Sequence, residues 1–67
     1  MSDRLPYVCI EIVEHCFNLG RGDLDSIIDY LRRYRKDIYS LCVSDNFYYL
    51  QIAIEIVLVG DYLLYGE

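Results

Sequence analysis

The sequence predicts an all-α domain of three helices, and three observations carry that prediction. Apolar residues recur at three- and four-residue spacing through residues 4–19 and 24–43. Two turn-forming clusters, Gly20-Arg21-Gly22-Asp23 and Ser44-Asp45-Asn46, punctuate the chain between apolar segments. In the third segment, 47–65, Gln51 and Glu55 stand one helical turn apart while most other positions are apolar.

The first predicted helix, 4–19, has Asp3 as its expected cap. Pro6 falls in its first turn, where a missing N–H costs nothing. Leu5, Val8, Cys9, Ile12, Val13, Cys16 and Leu19 share one face, with Tyr7, Glu11, Glu14 and Asn18 opposite. Gly20 stands where a left-handed C-terminal cap is expected. Asp23 reads as the N-cap of the second helix, 24–43, whose apolar stripe is Leu24, Ile27, Ile28, Leu31, Tyr34, Ile38, Leu41 and Cys42. Asp29 and Arg33 form an i,i+4 pair on its polar side.

The third predicted helix, 47–65, differs in kind. Its polar side is a narrow wedge of Tyr48, Gln51, Glu55 and Tyr62. Leu50, Ala53, Val57 and Leu64 lie on one flank, and Ile52, Ile56, Val59 and Leu63 on another. A helix apolar on nearly all sides must be buried on nearly all sides. Two neighbouring helices cover one flank, so the other is expected to be covered by a second copy. Tyr49, Ile52, Ile56, Val59 and Leu63 are the expected oligomer interface. The predicted packing sets the second and third helices antiparallel with the first across them. The alternative is an α+β fold, with a hairpin turn at Gly60-Asp61 and a further strand from Tyr7–Val13, because residues 52–59 are rich in β-branched side chains.

Size and charge narrow the function. Sixty-seven residues make one domain, 1–67, that buries only ~60% of its unfolded surface and commonly leans on a partner subunit. The chain is 55% hydrophobic, which excludes disorder, and its eight Tyr suit half-buried and interface positions. Three cysteines, an odd number, do not make a closed disulfide framework, and Cys9 and Cys16 lie ~10 Å apart along one helix. Free thiols, with no apolar signal core at the Met-Ser-Asp-Arg start, point to the cytoplasm. Net charge is −5, and residues 38–67 contain no Lys or Arg, which disfavours nucleic acid and anionic lipid.

Each remaining constellation has a plain structural explanation. Arg32, Arg33, Arg35 and Lys36, interleaved with Tyr30, Tyr34 and Tyr39, suggest a nucleic-acid-binding helix in which Arg32, Arg33 and Lys36 contact phosphates. The flanking Asp29 and Asp37 favour a solvated face instead. Arg35 falls by helical angle inside the apolar stripe, so it needs a carboxylate: Glu11, Glu14, Glu55 or one from a partner. Arg21-Gly22-Asp23 spells an adhesion tripeptide whose residues are already explained as turn and cap. His15 with Cys9 and Cys16 lacks metal-ligand spacing and the third group of a nucleophilic triad. Asp23, Asp25 and Asp29 crowd a helix N-terminus, where acids belong in any case. The uninterrupted apolar run 56–59 is far shorter than the ~20 residues of a membrane span.

No enzyme activity, cofactor or metal is expected. In size and acidity the chain resembles small accessory or inhibitor proteins of phages and other viruses, with no motif behind the likeness. The expected function is a self-associating regulatory, adaptor or inhibitor module that binds a protein partner.

Overall fold

The computed structural model describes residues 4–65, with side chains described through Gly60. It is all helical, with four α-helices: α1 Leu5–Asn18, α2 Leu24–Tyr34, α3 Lys36–Ser44 and α4 Tyr48–Tyr65. No strand occurs among the described residues, and Gly60 and Asp61 lie within α4. The hairpin alternative is therefore set aside. β-Branched residues are tolerated in a helix whose apolar face packs well, because burial outweighs propensity.

The helix expected over 24–43 is two helices joined at Arg35. That residue leaves helical geometry (φ −136°, ψ 65°), while its N–H still donates to the Leu31 carbonyl and its carbonyl accepts from Tyr39. The break is one residue wide. Nothing in the apolar period marks it, since Ile27, Leu31, Ile38 and Cys42 would share a face on a straight helix. Bending keeps all four of those side chains buried. Crowding of Arg32, Arg33, Arg35 and Lys36 at i,i+3 and i,i+4 spacings weakens the helix at that point.

The packing order also differs from expectation. The most extensive helix contact is between α1 and α4, rather than between the second and third predicted segments. The reason is apolar width. α1 offers Leu5, Cys9, Ile12, Val13 and Cys16, and α4 offers Leu50, Ala53 and Val57, all buried. α2 and α3 each contribute two buried side chains and fold over that pair. α3 and the residues 48–60 part of α4 meet at 104°, so the turn between them is an elbow.

The helix ends follow sequence chemistry closely. Gly20 is left-handed (φ 77°). The N–H of Arg21 donates to the Cys16 carbonyl and that of Gly20 to Phe17, which is a Schellman cap. The same motif closes α3, where Phe47 N–H donates to Cys42 and Asn46 N–H to Val43. Here Asn46 (φ 58°) takes the left-handed position, and Phe47 (φ 60°) is left-handed as well. Two such residues in succession are costly for side chains with a Cβ. Asp23 caps α2, its carboxylate accepting from the Ser26 N–H at 3.1 Å. The cap expected at Asp3 lies outside the described residues. α1 starts with Arg4 at the cap position, without a side-chain hydrogen bond, and with Pro6 in its first turn.

Gly22 is required for a different reason from Gly20. A Cβ at Gly22 would lie 2.6 Å from the Phe17 ring, which packs over the turn. Gly22→Ala is expected to destabilise the fold by about 1–3 kcal/mol through that overlap, read as a lower urea midpoint with unchanged slope.

Candidate functional site

α4 is where burial is least complete relative to hydrophobicity. Leu50, Ala53 and Val57 face α1 and are closed from solvent. On the outer side Ile56, Leu58 and Val59 remain 50%, 50% and 55% exposed, and Tyr48 is exposed at the start of the helix. Of the five interface residues expected from sequence, Tyr49 and Ile52 are half-buried, and Ile56 and Val59 are exposed. The side chain of Leu63 lies outside the described residues. Leu58 was missed. It sits about 120° around the helix from Ile52, beyond the Gln51–Glu55 edge, so the exposed apolar arc spans both sides of that polar edge.

The exposed face continues into a groove of about 480 Å³ between α1 and α4. Ile10 and Phe17 of α1 and Ile56, Val57 and Gly60 of α4 form its apolar lining, with Glu14 at its margin. Gly60 has open space where a Cβ would stand, so no described residue fills the groove there. Tyr48 and Tyr49 lie at the start of the same helix in an edge-to-face pair, centroids 5.3 Å apart. The surface thus offers branched aliphatic side chains, a hollow and amphipathic aromatics, with Glu55 on the polar edge and Glu14 and Asn18 at the groove.

The basic cluster is distributed differently from the sequence expectation. Arg33 pairs with Asp29 (3.0 Å), as expected. Arg35 pairs with Asp37 through two contacts of 3.3 and 3.2 Å, and not with Glu11, Glu14 or Glu55. The break at Arg35 explains this. It takes the residue out of the apolar stripe and leaves its side chain 44% exposed, within reach of the first turn of α3. Arg32 and Lys36 are exposed. A second hollow of about 440 Å³ gathers Arg21, Asp29, Tyr30, Arg33 and Tyr34 over Cys16, so both charge signs face it.

The remaining candidates are placed as follows. His15 packs its ring against Tyr30, centroids 5.5 Å apart, and is exposed. Cys9, Cys16 and Cys42 are free and buried. Burial raises the Cys16 thiol above its ordinary pKa. Among the described residues no three His, Cys, Asp or Glu side chains gather as a metal-holding group. No single described helix is long and apolar enough to cross a membrane. α3 and the residues 48–60 part of α4 reach that length only together, across their 104° bend.

Two exposed carboxylates carry pH dependence. Hydrogen bonds from Ser26 hold Asp23 below the ordinary carboxylate range, and the Arg35 guanidinium does the same for Asp37. A carboxyl whose pKa is depressed by folding stabilises the fold above its unfolded pKa, and that contribution disappears as pH falls through the folded value. The melting-temperature gap between the wild type and Asp23→Ala is therefore expected to be full at neutral pH and to close below pH ~4. Thermal melts of both proteins between pH 7 and 3 check this. No protein-family model, curated protein or solved structure matches the chain.

Proposed function

We propose that the chain is a non-enzymatic, self-associating interaction module whose contact surface is the outer face of α4 and the adjoining α1–α4 groove. Such a module would act as a regulatory, adaptor or inhibitor protein, its oligomer presenting acidic and Tyr-rich surface to a protein partner. The observation that carries the reading is the run of half-exposed Ile56, Leu58 and Val59 on the most apolar helix. Exposed aliphatic side chains gathered on one helix, rather than scattered singly, mark an interaction site.

Charge bears on the choice of partner. Arg33 and Arg35 are already engaged by Asp29 and Asp37, and the net charge is −5, so the nucleic-acid reading gains nothing. A second copy meets the exposed face with matching apolar side chains and few charges to desolvate. Sedimentation or light scattering at micromolar concentration tests the proposal: a mass of two chains or more is expected, and a strictly monomeric, folded chain overturns it.

A further inference from the structure

We infer that Cys9 and Cys42 form a reversible disulfide site that staples α1 to α3, oxidised by small disulfides of the glutathione type. Their sulfurs are 3.8 Å apart, on different helices, and the residues are 33 positions apart in sequence. Both side chains are completely closed from solvent, so no bulk water separates them. Bond formation requires the sulfurs to approach by a little under ~2 Å, to the ~2.05 Å of an S–S bond. Cys16 lies on the same face of α1, is equally buried and makes no sulfur contact. It is the internal control that the molecule provides.

The fold also supplies a way for the oxidant to arrive. α3 has nine residues and a joint at each end: the non-helical Arg35 on one side, and left-handed Asn46 and Phe47 on the other. A short helix between two joints opens locally at lower cost than the α1–α4 pair. The step then balances as two exchanges. One cysteine thiolate attacks the reagent's S–S bond, giving a mixed disulfide and releasing one small thiol. The other cysteine thiolate displaces the second small thiol and closes the Cys9–Cys42 bond. Two protein thiols lose two protons and two electrons, and the reagent is reduced to two thiols.

Asp45 tunes the pair. Both of its carboxylate oxygens are buried and lack a hydrogen-bond partner among the described residues, and its negative charge bears on both thiols. The contact shared by the two thiols moves them in opposite directions, Cys9 down and Cys42 up, while burial and Asp45 push both up. Closure of both sulfurs from solvent keeps the oxidant away while α3 is seated, so the site oxidises faster once α3 lifts.

The test incubates the full chain with oxidised glutathione, alone and in urea below the unfolding transition, and reads intact mass and non-reducing peptide maps. A Cys9–Cys42 link, the loss of two hydrogens, and a melting temperature higher by roughly 10 °C are expected. Cys16→Ala is expected to oxidise like the wild type, Cys42→Ala to give no internal link, and Asp45→Asn to oxidise several-fold faster. A stable glutathione adduct, a link through Cys16, three unreacted thiols in both conditions, or a lower melting temperature after oxidation each overturns the inference.

Discussion

Replacing Ile56 and Val59 together with glutamate is expected to leave a folded monomer at concentrations where the wild type self-associates. Both side chains are at least half exposed within one chain, so the monomer loses little packing, within about 1 kcal/mol. In the proposed oligomer the same positions lie at the contact, and each Glu would need a partner there or drag water with it. The two changes also take the chain's net charge from −5 to −7, which adds repulsion between copies. Together these effects are expected to weaken association at least 100-fold, equivalent to about 2.7 kcal/mol. Sedimentation read beside circular dichroism decides the matter. A monomer with wild-type helix content supports the proposed surface, whereas an unchanged oligomer places the contact elsewhere. Arg32→Glu, on the exposed face of α2, is the matched control and is expected to leave the oligomer unchanged.

The second large effect concerns the core. Leu31→Ala is expected to cost about 2–5 kcal/mol, because Leu31 is wholly enclosed and the cavity left behind collapses only in part. A domain of 67 residues has a total stability of only about 3–10 kcal/mol. The variant should therefore melt more than 10 °C lower, or be largely unfolded at 37 °C. Leu41→Ala, at a position 45% exposed, is expected to cost well under half as much. If the two variants prove equally destabilised, the burial pattern of the α2–α3 arm is wrong. The wild-type melting temperature should also rise with protein concentration, since association stabilises the folded state by mass action.

These two experiments separate the roles of α4 and the remaining helices. The inner residues of α4 hold the monomer together, and its outer residues are proposed to hold copies together. A 67-residue chain has few other ways of offsetting its conformational entropy.

Much of the fold was legible from residue order because it depends on local rules. Gly20 takes the left-handed cap and Asp23 caps α2, as their positions predict. The buried residues of α1, and Leu50, Ala53 and Val57 of α4, follow helical spacing. The separation of α4 into an inner flank and an outer arc containing Ile56 and Val59 was also visible in that spacing. Leu58 lies by angle on neither apolar flank but beyond the Gln51–Glu55 edge, so the flank spacing does not single it out.

The break at Arg35 is marked locally only by the like charges crowded around it. It has no Pro or Gly, and the apolar period runs through it undisturbed. Where the chain bends is decided by how the buried side chains of α2 and α3 meet the α1–α4 pair. The same bend moves Arg35 to Asp37. The meeting of Cys9 with Cys42 is likewise tertiary. Spacing excludes Cys9 with Cys16 along one helix, but sulfurs 33 positions apart become neighbours only when α3 folds over α1. Sequence by itself determined what is set by one turn of helix at a time: helical class, caps, and the faces that must avoid water. Tertiary structure alone decided what depends on how several faces share one small core: the number of helices, the partner of Arg35 and the pairing of the thiols.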